Sequence, residues 1–214
     1  MDEERRDFDQ EAADWDNPGR VKMAQNIAAA IKKSVKINRD MEVLDFGCGT
    51  GLLALELQPL VHELTCVDSS AGMLKVLSNK IEERQLNNVR PLLLDVEKGD
   101  QLIGAYDLVI SSMTLHHIRD IKPLLAQFLR ILKPGGWLCL ADLDLDQGHF
   151  HGANHNQGVF HFGFDRKLLG KDLEDAGFFQ VEFSTGAEVM RFYPGGVKPF
   201  TIFVATARKA SAGA

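Results

Sequence analysis

The chain has 214 residues, a length that suits one domain. Hydrophobic residues make up 45% and charged residues 25%, a balance from which an ordinary globular core can be built. Lys and Arg number 24 against 30 Asp and Glu, which gives a formal net charge of −6. Nucleic-acid affinity depends largely on Lys and Arg neutralising phosphates, so we expect no nucleic-acid partner.

The three cysteines, Cys48, Cys66 and Cys139, lie in apolar runs typical of strands. Their odd number and their spacing fit no zinc pattern, which favours buried thiols in a reducing cytosol. The first residues lack the apolar stretch of a signal peptide, and no apolar run approaches about 18 residues. We therefore expect a cytoplasmic protein without a membrane span, as a monomer or a homodimer.

The first predicted element in the chain is an amphipathic helix. Asn17 and Pro18 are typical of a helix start, with Asn as the cap and Pro at the first helical position. Apolar residues then recur at helical spacing as far as Val35. We expect residues 1–38 to form an N-terminal helical region that covers a larger body.

Short apolar strands alternate with helical stretches through residues 39–142, the predicted central part of the domain. A helix over 121–132 is stopped by the sequence Pro134-Gly135-Gly136. Strands without polar alternation, separated by helices, indicate a parallel sheet covered on both faces. The predicted strands span residues 43–46, 64–67, 89–94, 106–110 and 137–141.

The alternation of strands and helices ends at residues 143–164, which are rich in Gly, His and Asn and have no clear periodicity. Such a length is unusual for a simple connection, so a functional loop or lid is predicted. Residues 165–207 then contain a helix capped by Asp165 and two strands, over 178–183 and 200–205. The short connection between these strands favours an antiparallel hairpin at the edge of the sheet.

A glycine-rich turn follows the first predicted strand, with Gly47, Gly49 and Gly51. Glycines permit a tight turn and let a ligand lie against the backbone. In doubly wound sheets, ligands bind at the carboxyl ends of the strands. Asp68 ends the second strand, where its carboxylate can accept hydrogen bonds from ribose hydroxyls. The turn and Asp68 together predict a nucleoside-containing cofactor.

The spacing of the glycines argues against a dinucleotide. The dinucleotide fingerprint needs a glycine at position 52, which is Leu52. Asp45 precedes the turn, and a cationic sulfonium tolerates a nearby carboxylate better than a pyrophosphate does. A nicotinamide-dependent oxidoreductase is therefore disfavoured. A non-catalytic nucleoside-binding protein of the same fold stays open, since a fold alone does not establish activity.

Residues 43–51 resemble motif I of the class I S-adenosylmethionine-dependent methyltransferases. Four later segments resemble further motifs of that family in the same order: residues 66–70, 94–97, 106–110 and 132–136. Several motifs in order are far more specific than one glycine turn. The resemblance implies a Rossmann-like α/β fold, doubly wound, with a mostly parallel seven-stranded sheet, helices on both faces and an antiparallel last strand. It also implies S-adenosylmethionine as the cofactor.

The resemblance implies a role for each motif residue. The methionine part of the cofactor would lie against the glycine turn, formed by Asp45, Gly47, Cys48, Gly49 and Gly51. Asp68 would hold the ribose, with Ser69 and Met73 beside ribose and adenine. Asp95 would accept a hydrogen bond from the adenine amine, and Val96 would pack on the ring.

Two further expectations concern the residues that face the methyl group and those that cover the cofactor. Ser111 or Ser112, just past the fourth strand, would face the methyl group. Trp15 and Arg20 would close over the cofactor, since related enzymes use an N-terminal segment as a cover. For Trp15, an ordinary hydrophobic anchor is the alternative.

Three histidines are candidate catalytic residues: His116, which follows the fourth strand, and His151 and His155, in the loop. Methyl transfer needs a base only where the acceptor must lose a proton, and histidine titrates near neutral pH. Alternatively, His116 packs beside a turn, and the loop histidines are simply solvated. The spacing of His151 and His155 is compatible with zinc, but no convincing further ligands lie nearby, so no metal is assigned.

The residues after the fourth strand bear on the methyl acceptor. Enzymes that methylate amino groups of adenine, cytosine or glutamine often carry Asn-Pro-Pro-Tyr there, whereas this chain has Ser111-Ser112-Met113-Thr114. With the acidic net charge, this difference points to a small-molecule acceptor, methylated on O, S, C or N.

Overall fold

The computed structural model describes residues 6–150, 156–193 and 195–211. Within them one sheet is formed by the strands β1 Glu42–Phe46, β2 Glu63–Asp68, β3 Val89–Leu93, β4 Tyr106–Ser112, β5 Leu132–Leu143, β6 Phe179–Tyr193 and β7 Gly196–Arg208. The α-helices are α1 Phe8–Glu11, α2 Pro18–Ser34, α3 Ala54–Leu57, α4 Ala71–Glu83, α5 Ile121–Ile131 and α6 Arg166–Asp175. In this part of the chain, no helix has the length and apolar composition needed to cross a bilayer.

The strand order is β3-β2-β1-β4-β5-β7-β6. Strands β1 to β5 are parallel to one another, whereas β7 runs antiparallel to both β5 and β6. This pairing confirms the predicted α/β fold, mostly parallel with an antiparallel last strand. The order reverses between β1 and β4, where the connections leave a crevice beyond the carboxyl ends of the strands.

Helices cover both faces of the sheet because successive strand residues point to opposite sides. Val43 of β1 packs in a cluster with Ile27 and Ile31 of α2 and Leu77 of α4. The next residue, Leu44, packs in the opposite cluster, together with residues of α5 and α6 that include Phe128, Leu169 and Leu173. These central strands are buried on both sides, which explains their continuous apolar sequences.

The two predicted N-cap residues, Asn17 and Asp165, cap helices α2 and α6. The Asn17 side chain accepts a hydrogen bond from the Arg20 amide at 3.0 Å, and Pro18 is the first residue of α2. Asp165 accepts hydrogen bonds from the Lys167 and Leu168 amides at the start of α6. These bonds satisfy amides that have no partner within the first helical turn.

The last three strands are longer than predicted. The segment Pro134-Gly135-Gly136 lies inside β5, and the Gly135 amide bonds the Lys209 carbonyl at 3.0 Å. Strands β6 and β7 stay paired as far as Tyr193 and Gly196, well beyond the predicted ends at 183 and 200. The outer part of this hairpin is largely exposed, with Met190, Phe192 and Val197 among its exposed side chains, so pairing between the strands, rather than burial, extends it.

Substitution of Gly51 tests the packing between the turn after β1 and helix α4. Its φ is +82°, and a Cβ at this position would lie 2.5 Å from a terminal carbon of Leu77, which is fully buried. Gly99 is a matched control, since its φ is +97° and a Cβ there would meet no described atom within 4 Å. Both alanine variants carry left-handed strain, but only Gly51→Ala also collides.

We expect Gly51→Ala to lower the free energy of unfolding by roughly 1–3 kcal/mol more than Gly99→Ala, the usual cost of overpacking a core. Urea denaturation of both variants measures the difference. Equal stabilities would mean that α4 moves aside without cost and that the contact with Leu77 does not constrain the turn.

Candidate functional site

A cavity of about 730 Å³ opens beyond the carboxyl ends of β1, β2 and β4. Its walls come from the turn after β1, the ends of β2 and β4, the segment after β3, the N-terminal region and the β6–β7 hairpin. Distant parts of the sequence therefore meet at one place, at the reversal of strand order where ligands bind in such sheets.

The glycine-rich turn forms the floor of the cavity with Gly47, Cys48 and Gly49. The Gly47 and Cys48 amides donate to the Val67 carbonyl of β2 at 2.8 and 3.0 Å. Gly47 has a φ of +70°, and a Cβ there would lie 2.2 Å from the Thr114 hydroxyl. Glycine at this position thus allows the segment after β4 to close on the turn. Of the predicted turn residues, Gly51 does not line the cavity but packs on α4.

Asp68 joins the end of β2 to the turn. One carboxylate oxygen accepts a hydrogen bond from the Gly49 amide at 2.7 Å, and the other accepts one from the Ser70 amide at 2.9 Å. Burial raises the pKa of Asp68 against the opposing effect of these amide bonds. A carboxylate oxygen has more than one acceptor site, so Asp68 can accept further hydrogen bonds from the cavity.

Asp45 also faces the cavity, and its residue is only 1% exposed. Its Oδ2 atom is buried and accepts no hydrogen bond within the described parts of the chain. Burial, followed by the nearby charge of Asp68, raises the pKa of Asp45 to about 8. The group is therefore mostly protonated at neutral pH, and a cation in the cavity would favour its ionised form.

The wall beyond β2 and β3 contains the other residues that the motifs indicate, Ser69, Met73, Asp95 and Val96. The Asp95 side chain accepts a hydrogen bond from the Glu97 amide at 3.0 Å and so begins a short 3₁₀ turn at Val96–Lys98. The Met73 amide donates to the Ser70 hydroxyl at the start of α4. Local capping therefore fixes this wall.

The N-terminal region covers one side of the cavity with Trp15 and Arg20. The Arg20 guanidinium lies 3.8 Å from the centroid of the Trp15 ring and donates to the Trp15 carbonyl. Asp9 accepts hydrogen bonds from the Ser70 hydroxyl at 2.5 Å and the Gly72 amide at 2.7 Å. The region is thus tied to the first turn of α4, next to Asp68.

The structure does not bring Ser111 to the cavity. Its side chain is buried, and its hydroxyl donates to the Phe46 carbonyl at 2.8 Å, toward β1. Ser112, the alternative weighed from the sequence, lines the cavity instead. Neighbouring strand residues point to opposite sides, so only one of the two serines can face the opening.

His116 lines the cavity and forms a buried pair with Asp142 at the end of β5. The distance between His116 Nδ1 and Asp142 Oδ1 is 2.7 Å, and the same oxygen accepts the Leu143 amide. Burial raises the pKa of Asp142, but its contact with His116 opposes burial, and the pKa is lowered overall. The His116 carbonyl also accepts the Phe160 amide and so anchors the second half of the loop.

The other candidate histidines, His151 and His155, lie outside the described residues. In the residues that are described, no group of three or more His, Cys, Asp or Glu side chains is arranged to hold a metal ion. The three cysteines are buried free thiols within that same part.

Sequence reasoning missed several cavity residues, Phe150 and Arg191 among them. Phe150 belongs to an aperiodic loop, where no pattern indicates which side chains turn inward. Arg191 lies in the part of β6 beyond its predicted end. Residues 187–192 read Ala-Glu-Val-Met-Arg-Phe and do not alternate strictly, so no two-residue period indicated that the strand continues to Arg191.

Residues 19–182 match the family model of a methyltransferase domain. The chain belongs to the class I S-adenosylmethionine-dependent methyltransferase family. It is 32% identical over 175 residues to a demethylmenaquinone methyltransferase of Listeria welshimeri, which covers 80% of this chain and 71% of the relative. It is also 32% identical over 135 residues to an uncharacterised methyltransferase of Schizosaccharomyces pombe, covering 58% of this chain. The match spans about half the length of that yeast relative (48%).

The structure is also similar to a crystal structure of an S-adenosylmethionine-dependent methyltransferase from Aquifex aeolicus. The TM-score is 0.68 at 20% identity, and the match covers 94% of this chain and 97% of the other. This likeness supports the same fold.

Asp9 gives a test of how the N-terminal region is held. Asp9→Ala removes the acceptor for the Ser70 hydroxyl and the Gly72 amide, so we expect this region to open more often. Amide hydrogen exchange over residues 6–16 should be roughly five- to ten-fold faster, as expected for lost local bonds. Asp14→Ala, at an exposed position in the same region, is the control. Equal exchange in the two variants would exclude Asp9 as the tie.

Proposed function

We propose that this methyltransferase transfers the methyl group of S-adenosylmethionine to a small-molecule acceptor. One observation carries the proposal: Asp45 is a fully buried carboxyl group that faces the cavity from the family's glycine motif, with Oδ2 lacking a hydrogen bond within the described residues. An isolated buried carboxylate is costly unless a cation compensates it. When bound, the cofactor supplies a methyl group activated on a positively charged sulfur.

The residues around the cavity fit this cofactor. Asp45 and the backbone of Gly47, Cys48 and Gly49 would hold its methionine part, with Gly51 keeping the turn packed on α4. Asp68 would accept the ribose hydroxyls. The adenine would lie in the wall formed by Ser69, Met73, Asp95 and Val96. Trp15 and Arg20 would cover it, with the guanidinium toward the carboxylate of the cofactor. Ser112 would replace Ser111 on the open side.

His116 is our candidate for the group that receives a proton from the acceptor. Its Nδ1 faces a carboxylate oxygen of Asp142, so Nδ1 carries a proton and the neutral ring has Nε2 as its acceptor atom. Asp142 fixes this tautomer and would stabilise the ring when Nε2 is protonated, the arrangement used in other His–Asp pairs. We keep His151 and His155 as further catalytic candidates.

The division of the chain follows from these roles. Residues 39–142 would bind the cofactor, and residues 1–38 would cover it. Residues 143–164 and the helix and hairpin of residues 165–207 would enclose the acceptor. The relative from Listeria welshimeri is by name a demethylmenaquinone methyltransferase, which supports a small-molecule acceptor here.

Calorimetry with S-adenosylhomocysteine and transfer of labelled methyl groups to a panel of acceptors test the function. We expect binding and transfer by the wild type. Asp68→Ala should weaken binding roughly ten- to a hundred-fold, because hydrogen bonds to a charged group are lost. His116→Asn keeps a donor for Asp142 but no base, so it should slow transfer and leave S-adenosylhomocysteine binding unchanged.

Other outcomes would contradict the proposal in distinct ways. Binding of NADH without binding of S-adenosylhomocysteine would identify an oxidoreductase. Binding of S-adenosylhomocysteine with no transfer to any acceptor would identify a non-catalytic nucleoside-binding protein. Unchanged affinity in Asp68→Ala would remove Asp68 from the ribose site.

The raised pKa of Asp45 gives a pH prediction. Below a pH of about 8 the free protein holds this carboxyl group protonated. Because the cationic cofactor favours the ionised form, binding should release a proton at pH 6.5, and affinity should rise as the pH increases toward about 8. Calorimetry in buffers of different ionisation enthalpy measures the released proton.

Asp45→Asn is the matched control, since it keeps the shape of the side chain without the titration. The cofactor's own amino group contributes equally in both proteins, so the difference in proton release between them reports Asp45 alone. Equal proton release by the wild type and this variant would show that Asp45 does not ionise on binding.

A further inference from the structure

Arg191 is a cavity residue to which the proposed function gives no role. It lies in the outer part of β6, opposite Lys198 of β7, and its side chain lines the cavity. The guanidinium carbon is 5.0 Å from the centroid of the Phe150 ring. Although the residue as a whole is exposed, burial of its guanidinium lowers the pKa of Arg191. A stacked guanidinium of this kind loses little freedom when it binds a ligand.

The surroundings leave this charge available. Burial alone lowers the pKa of Arg191, and no carboxylate within the described residues offsets its charge. Arg6 differs, because it forms two hydrogen bonds with Glu11 at 2.6 and 2.5 Å. Burial, and then the charges of Arg6 and Arg191, lower the pKa of Arg20, while the charges of Glu11 and Asp16 oppose them. Arg6 and Arg20 thus have carboxylates nearby, whereas no carboxylate of the described residues shifts the pKa of Arg191.

Charge is divided between two sides of the cavity. The carboxyl groups lie at the carboxyl ends of the strands: Asp45 near the end of β1, Asp68 at the end of β2 and Asp95 just after β3. Arg20 and Arg191 lie on the N-terminal region and the hairpin. The acidic side complements a cationic cofactor, and Arg20 would meet the one carboxylate that this cofactor carries. Arg191 then remains for a second anion.

We propose that Arg191 binds an anionic group of the methyl acceptor, a carboxylate or a phosphate, while Phe150 contacts its apolar body. A planar guanidinium matches such oxyanions with two parallel hydrogen bonds. This inference rests on the proposed function and narrows its acceptor to anionic molecules with an apolar or aromatic part.

The experiment uses the full chain saturated with S-adenosylhomocysteine, with ligand binding measured by calorimetry. Two pairs of similar shape serve as probes: benzoate with benzamide, and phenyl phosphate with benzenesulfonamide. We expect at least one anion to bind roughly ten-fold or more tightly than its neutral partner, the usual effect of a charged hydrogen-bonded contact. Arg191→Gln should remove that preference and leave the affinity for S-adenosylhomocysteine within about two-fold of the wild type.

Lys198→Gln is the matched control. It removes one positive charge from the same rung of the hairpin, where the ammonium lies over the Phe200 ring and does not line the cavity. We expect this variant to keep the preference for the anion. Arg191→Lys should recover part of it, since the charge is retained without the planar geometry. Thermal unfolding of each variant checks that the hairpin still folds.

Several results would overturn the inference. It fails where the neutral probes bind as tightly as the anions, and where Arg191→Gln retains the wild-type preference. A loss of S-adenosylhomocysteine affinity in Arg191→Gln would assign Arg191 to the cofactor carboxylate instead. Binding of S-adenosylhomocysteine by the wild type without binding of either anion defeats this inference alone, whereas failure to bind S-adenosylhomocysteine defeats the proposed function.

Discussion

The hydrogen bond from the Gly49 amide to Asp68 holds the glycine-rich turn against the end of β2. Two amides of the same turn bond the Val67 carbonyl, so the chain after β1 is fixed to its neighbouring strand at three points. The segment after β4 then closes on Gly47, where any side chain would collide with Thr114. Because several segments meet at this turn, the cavity depends on it for its shape.

Electrostatics then divide the cavity. Carboxyl groups gather at the strand ends because the parallel strands direct them to one edge of the sheet, and burial keeps Asp45 protonated near neutral pH. Guanidinium groups approach from the N-terminal region and the hairpin, outside the parallel core. Charges in such a partly desolvated space interact more strongly than in water. This division of charge would suit a cationic ligand beside an anionic one.

The central strands were predictable because both of their faces are buried, which favours continuous apolar runs such as residues 108–110 of β4. The outer hairpin was not, since most of its side chains are exposed and pairing between the strands, rather than burial, extends it. Ser111 and Ser112 illustrate the same limit, because the sequence marks the strand end but not which serine faces the cavity. Arg191 needed the register of β6 against β7, which no local pattern contains.

The contacts of Asp9 with the start of α4 have a consequence for the timing of catalysis. The N-terminal region meets α4 at Ser70 and Gly72, directly beside the Asp68 carboxylate. Entry and departure of a nucleoside at Asp68 would therefore be coupled to the opening of this contact. In many enzymes the slowest event in a cycle is the release of product rather than the bond-forming step. Turnover would then be governed by two hydrogen bonds far in sequence from the reacting atoms.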